Sequence, residues 1–275
     1  MRMANPPAPE ELWHYYPKNY WYAPDNNAAA RLEERYRRLV LRDHARFVTR
    51  ALRSSGVPGP LLDAGCGGGL FPRILRERGF AALGLDPSAE AAAVAWKVNG
   101  VPVMCAELAH APLPPATCAA ITMFHVLEHL YDPREYLDAA RSLLKANGRL
   151  IVQVPNADCW QFRLLGSHWN GMDVPRHLVD FRARDLEALL KAAGFEVLRR
   201  KHFSWRDNPA GLASSLAPSL DPMARRVRGV RETAPAKLMK DLAYFVLLAA
   251  GLPFTLLEAG CGAGSTIMIE ARKKA

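Results

Sequence analysis

Short apolar runs recur along this chain at 60–64, 81–85, 101–104, 119–124 and 149–154, each long enough for a buried strand and too short for a helix. The stretches between them carry a helical pattern, and Gly79, Gly100 and Gly148 stand where a left-handed cap would close each helix. Strands separated by helices are the signature of a parallel βαβ sheet. A further helix is expected at 183–193, closed by Gly194, then a strand at 195–202 and a last one at 265–271. With 275 residues, half of them hydrophobic, the chain can bury one large core. One α/β domain with insertions is the expectation.

The regions outside this rhythm have their own patterns. An aromatic, proline-flanked segment at 13–22 reads as an ordered arm or lid. Apolar residues at Leu32, Tyr36, Leu39, Val40, Phe47, Val48, Ala51 and Leu52 predict one amphipathic helix over 29–53. Residues 155–182 are irregular. Residues 204–262 hold several prolines, an arginine cluster (Arg225, Arg226, Arg228, Arg231) and an apolar run at 242–257. That run has sixteen residues, interrupted by Gly251 and Pro253, and falls short of the roughly 20 needed to cross a bilayer. A membrane span is not expected; a buried insertion, a cap over a pocket and contact with a membrane surface through 225–257 stay open. The implied organisation is an N-terminal arm and helix at 1–58, a sheet domain at 59–203 with 264–275, and a helical insertion at 204–263.

Thirty-six Lys and Arg against 27 Asp and Glu, a net charge of +9, favour an anionic neighbour: nucleic acid, phospholipid or acidic metabolite. Nucleic acid ranks low, because the aromatics cluster at the N-terminus instead of alternating with Lys and Arg. The five cysteines (Cys66, Cys105, Cys118, Cys159, Cys261) are odd in number and never form C-x-x-C, which suggests neither a disulfide framework nor a metal site. No apolar stretch in residues 1–9 suits a signal peptide. The compartment expected is the cytoplasm, with a peripheral place at the inner face of a membrane as the alternative.

The chemistry centres on Leu61-Leu-Asp-Ala-Gly-Cys-Gly-Gly-Gly69, where the first strand turns into the first helix. Gly65, Gly67 and Gly69 let backbone approach a ligand closely. A dinucleotide fingerprint, G-x-G-x-x-G, would need glycine at Leu70, so the spacing speaks against NAD. Asp63, two residues before the first glycine, can accept a hydrogen bond from a ligand amine. Asp86, closing Gly84-Leu-Asp86, can accept both hydroxyls of a ribose. Together they imply an adenosine-containing ligand with an amine.

These residues also resemble a known family. Asp-Ala-Gly-Cys-Gly-Gly-Gly at 63–69, Gly-Leu-Asp-Pro-Ser at 84–88, Phe-His-Val-Leu-Glu-His-Leu at 124–130 and the run at 143–156 look like class I S-adenosylmethionine-dependent methyltransferases, above all the ubiquinone-biosynthesis-type, type 11 and type 23 branch. The resemblance covers about 60–202 plus the last strand. It implies a Rossmann-like doubly wound sheet of seven strands with the last antiparallel, and S-adenosylmethionine as cofactor. It implies that Asp63, Gly65, Cys66, Gly67 and Gly69 hold the methionine part and that Asp86, with Pro87 beside it, holds the ribose. Backbone near Ala106 and Glu107 would meet adenine, and Phe124 and His125 would lie by the methionine part. The family's acidic residue after the third strand is represented only by Glu107.

Methyl transfer from a sulfonium needs alignment, plus a base when the nucleophile is a hydroxyl. The candidate bases are His177, in Val174-Pro-Arg-His-Leu178, and His129. Asp173 and Arg176 could fix a polar substrate. Leu256-Leu-Glu-Ala-Gly-Cys-Gly-Ala-Gly264 nearly copies the glycine motif, yet only eleven residues follow it, too few for a second site; it reads as a loop entering the last strand. The function expected is transfer of a methyl group to an O or N nucleophile of a small-molecule, glycan or lipid-linked acceptor. The alternatives are a non-catalytic scaffold on the same fold, an RNA methyltransferase and, weaker still, a dehydrogenase.

Overall fold

The protein is described by a computed structural model over residues 1–16 and 28–274. The aromatic arm beyond residue 16 lies outside the described residues. The elements in order are α1 (Pro9–Leu12), α2 (Ala28–Val40), α3 (Arg42–Ser55), β1 (Leu61–Ala64), α4 (Leu70–Arg76), β2 (Ala82–Leu85), α5 (Ala89–Lys97), β3 (Val103–Met104), β4 (Cys118–Phe124), α6 (Pro133–Leu143), β5 (Leu144–Pro155), α7 (Trp160–Leu165), α8 (Ala183–Ala192), β6 (Phe195–Lys201), α9 (Asn208–Leu216), α10 (Pro222–Val227), α11 (Ala234–Gly260) and β7 (Thr266–Lys273).

The strands form one seven-stranded sheet in the order β3-β2-β1-β4-β5-β7-β6. β1 pairs in parallel with β2 and β4, β2 with β3 and β4 with β5, while β7 runs antiparallel to β6. This is the doubly wound fold with its last strand reversed. Every residue of β1 is buried, as helices on both faces require. The order turns over at β1, so the crevice outside the carboxyl ends of β1 and β4 is the switch point where open α/β sheets bind ligands. Buried Glu270 on β7 meets Arg149 at 3.2 Å and also pairs with Arg199, which ties β7 to its neighbours.

Several sequence expectations change. The helix over 29–53 is two helices, broken at Leu41: α3 buries Ala45, Phe47, Val48 and Ala51, whereas Leu32 and Leu39 of α2 are exposed. The break turns Leu41 into the same core cluster as the α3 residues. Gly148 caps no helix; Asn147 takes the left-handed turn at φ 60°. A Cβ on Gly148 would stand 2.9 Å from Lys145 O and 3.2 Å from Ala119 O, so glycine is there for close approach. The apolar run at 242–257 is the middle of a 27-residue helix, which charged residues upstream extend, and by length and composition α11 could cross a bilayer.

The chain forms two compact units. The sheet unit comprises Trp21–Val154, Arg184–Lys201 and Met268–Ala275, and the helical unit Met1–Tyr20, Pro155–Ala183 and His202–Ile267. Within the helical unit, Met3 N donates to Leu178 O (2.9 Å), and α9 packs along α11. The Tyr244 hydroxyl shares a hydrogen bond with Ser214 Oγ (3.0 Å), and Glu258 accepts from Gln161 N (2.9 Å) and Nε2 (2.8 Å). The near-copy of the glycine motif is not a loop throughout: Leu256 to Gly260 are the last turn of α11, and only the residues after them lead into β7.

Candidate active site

In the sheet unit the candidate residues converge at the ends of β1 and β2. Asp63 is buried and pairs in register with Thr122 of β4, whose hydroxyl donates to Asp63 Oδ1 at 2.6 Å. After Ala64 the chain turns through Gly65, Gly67 and Gly69 at φ 73°, 53° and 77°, a region that L side chains avoid. Space excludes a side chain too: a Cβ on Gly65 would stand 2.6 Å from Val126 Cγ2, and one on Gly69 2.8 Å from Ala95 Cβ on α5. Asn99 supports the turn, donating to Gly68 O (2.6 Å) while Arg73 donates to its Oδ1 (3.0 Å).

Asp86 is 2% exposed and spans from β2 to this turn. Gly67 N donates to its Oδ2 (2.8 Å) and Ser88 N to its Oδ1 (3.0 Å). Burial nevertheless raises its pKa above the usual carboxylate value, against the lowering effect of those donors. A carboxylate offers about four lone-pair sites, so each oxygen can accept one more hydrogen bond. Cys66 lies between the two acids; burial first, then the charges of Asp63 and Asp86, push its thiol up and keep it neutral. Its Sγ occupies the space a Cβ on Gly84 would need, at 2.6 Å, which explains that glycine. Pro87 and Glu107 are exposed at the same edge. Tyr136 of α6 sits near Glu107 and Asp86, and burial and those charges push its phenol up to about 12.

At the end of β4, Phe124 turns its ring against Phe71 (5.0 Å) and His44 (5.2 Å), a packing position. His125 has φ 57°, uncommon for a non-glycine residue and costly to hold. Its Nε2 accepts from Gln153 Nε2 (2.9 Å), so the neutral ring carries its proton on Nδ1, facing Glu128 Oε1 at 3.1 Å. Glu128 is 1% exposed and is the middle residue of the 3-10 turn Leu127–His129, at the end of which His129 is half-buried. Thr122, Glu128, Tyr136 and Gln153 were absent from the candidates read in the sequence. The available signal was a lone polar residue inside an apolar strand, in Ala-Ala-Ile-Thr-Met-Phe at 119–124 and Leu-Ile-Val-Gln-Val-Pro at 150–155.

In the helical unit, the stretch expected to be irregular holds α7 and two 3-10 turns, Gly166–His168 and Asn170–Met172. His177 follows, 8% exposed, its Nδ1 donating to Gly171 O at 2.7 Å. Because a carbonyl only accepts, the neutral imidazole keeps its basic lone pair on Nε2. Asp173 Oδ2 lies 3.9 Å from that nitrogen and 2.7 Å from Arg176 Nη2, and the Arg176 guanidinium sits over the Tyr16 ring.

Residues 32–200 match the family described as Methyltransferase domain. A Mycolicibacterium smegmatis protein named "Probable S-adenosylmethionine-dependent methyltransferase" is 30% identical over 184 residues, which are 66% of this chain and 61% of that protein. The chain thus spans less than two thirds of that relative's length. A "Ubiquinone biosynthesis O-methyltransferase" of Pectobacterium carotovorum is 30% identical over 181 residues, 62% of this chain and 75% of its own length. Among solved structures, a methyltransferase of Thermotoga maritima described as "possible histamine N-methyltransferase" shares the fold, with a TM-score of 0.54 at 20% identity over 96% of this chain and 100% of that one.

Proposed function

This chain belongs to the methyltransferase-domain family, and on that premise we propose that it is an S-adenosylmethionine-dependent methyltransferase whose cofactor binds at the ends of β1 and β2 and whose acceptor is methylated on oxygen or nitrogen. The observation that carries the cofactor assignment is the pair of buried carboxylates, Asp63 and Asp86, flanking a turn in which Gly65 and Gly69 leave no room for a side chain. The cofactor has a cationic ammonium and sulfonium and two ribose hydroxyls, which match two acids. Asp63, Gly65, Cys66 and Gly67 would take the methionine part, and Gly69 would let α5 close on the turn. Asp86 with Pro87 would take the ribose, and the backbone beside Glu107, near Tyr136, the adenine. His125, braced by Gln153 and Glu128, would border the methionine part.

Bound S-adenosylmethionine supplies a methyl group already activated on sulfur. The protein's remaining task is to align a nucleophile and remove its proton. His177 is the favoured base because it is buried and its Nδ1 proton is directed at Gly171 O, which makes Nε2 the basic nitrogen of the neutral ring. His129 is the second candidate. The acceptor class is a small molecule, glycan or lipid-linked compound, and the reaction is assigned to the cytoplasm.

Calorimetric titration with S-adenosylmethionine, S-adenosylhomocysteine and NAD tests the cofactor half. Both sulfur nucleosides should bind and NAD should not. Asp86→Ala should weaken them about 100-fold or more, since two hydrogen bonds to a charged group are worth at least about 1.5 kcal/mol each; unchanged affinity overturns the ribose assignment. For the acceptor half, a screen of phenols, amines, glycans and lipid-linked compounds supplies the substrate. His177→Gln should then lower kcat about 100-fold or more without changing cofactor affinity. A variant that keeps the parent rate transfers the role to His129.

A further inference from the structure

The fully buried residues of helix α11 are polar or carry a polar tip: Tyr244 faces α9 through its hydrogen bond with Ser214, Glu258 faces α7 through its bonds from Gln161, and Thr255 bonds Leu252 O within the helix. The opposite side is exposed and apolar: Met239 is 71% exposed, Val246 66% and Leu257 60%, with Leu238, Leu242 and Phe245 between. These positions recur every three to four residues, so they form one stripe about 27 Å long at 1.5 Å per residue. No charged residue falls between Asp241 and Glu258. Beside the stripe, a groove of about 370 Å³ lined by Leu164, Leu212, Leu216 and Phe254 widens the apolar face. Soluble proteins rarely leave a continuous patch of this kind exposed.

The charges around the stripe identify what covers it. Glu232 is engaged by Arg225 and Lys240, and Asp241 by Arg225. Arg228, Arg231 and Lys237, at the entry to α11, are exposed. The rim of the apolar face is therefore cationic. We propose that α11 lies flat in the surface of an anionic lipid bilayer, with Leu242, Phe245 and Val246 in the acyl boundary and Arg228, Arg231 and Lys237 at the headgroups. A spanning orientation is disfavoured because the inner face of the helix is committed to α7 and α9 by buried hydrogen bonds. This proposal does not depend on the identity of the methyl acceptor.

The test is co-sedimentation of the whole chain with vesicles of phosphatidylcholine alone or mixed with phosphatidylglycerol. Binding is expected on the anionic vesicles and should weaken about tenfold or more as salt is raised to about 1 M, where the screening length is about 3 Å. Leu242→Gln with Val246→Gln should weaken binding roughly 100-fold, because two exposed apolar side chains no longer insert. Arg228→Gln with Arg231→Gln should weaken it about 10- to 30-fold on anionic vesicles only. All four side chains are exposed or at helix entry, and unchanged circular dichroism and S-adenosylhomocysteine affinity will show that the variants fold. Three results overturn the proposal: no binding to either vesicle; a dimer that Leu242→Gln with Val246→Gln dissociates while vesicles stay bare, which assigns the stripe to a second copy; or resistance to alkaline carbonate extraction, which assigns a span.

Discussion

Gly69 and Gly79 have nearly the same left-handed backbone, φ 77° and 85°, in different surroundings. An ideal Cβ on Gly79 meets nothing within 4 Å, whereas one on Gly69 stands 2.8 Å from Ala95 Cβ and 3.1 Å from Ala95 Cα. Alanine at either site should incur about 1–2 kcal/mol for its dihedral angle. The entropy that alanine removes from the unfolded chain, about 0.4–1 kcal/mol in its favour, is common to both and cancels in the difference. Only at Gly69 must α5 shift, and overpacking of that kind costs a further ~1–3 kcal/mol. Gly69→Ala is thus expected to lose about 1–3 kcal/mol more than Gly79→Ala, read by urea unfolding with intrinsic fluorescence. Calorimetry should show weakened S-adenosylhomocysteine binding in the first variant alone. Equal losses from the two variants would refute the argument that close packing of α4 on α5 selects glycine at 69.

Two further outcomes are expected in the sheet unit. Asp43 is partly buried, which alone would raise its pKa, but hydrogen bonds from His44 and Lys201 prevail and bring it down to about 2. A folded value below the unfolded one stabilises at neutral pH and is lost as pH falls from about 4 towards about 2. Asp43→Asn should therefore be less stable by about 2 kcal/mol at pH 6, with the gap to the parent narrowing below pH 4; a gap independent of pH contradicts the assignment. Thr122→Val keeps the shape but removes the donor to Asp63, and should lose about 1–3 kcal/mol of stability together with cofactor affinity. Thr122→Ser should recover most of both, and a serine variant as weak as the valine one would point to packing instead.

What could be read before folding was local. A buried parallel strand is a short apolar run, and the turn after β1 must be glycine because its dihedral angles and neighbours leave no alternative; Asp63 and Asp86 are then placed by strand ends alone. Partners contributed from other strands and helices leave no such trace: Thr122 meets Asp63 across 59 positions and Gln153 meets His125 across 28. The break at Leu41 was hidden because the apolar period continues through it, while burial of α3 on the sheet decides where the helix ends. Pro253 read as an interruption, yet α11 runs through it with the ring on the exposed side. The two glycine motifs make the point most directly. Leu61 to Gly69 is strand, turn and helix start, whereas Leu256 to Gly264 is helix end and turn, because the second is preceded by more than twenty helical residues and is fixed by Glu258 on Gln161.

The polar attachments of α11 bear on how the protein should be handled. Detergent solvates apolar surface readily, and a helix held only by leucine packing would be free to exchange its protein neighbours for a micelle. The bonds from Tyr244 to Ser214 and from Gln161 to Glu258 respond in the opposite sense, since hydrogen bonds strengthen as the surrounding dielectric falls and an acceptor left unmade in an apolar phase is costly. Extraction in mild detergent should accordingly leave α11 seated on α9, with the micelle covering only its outer side.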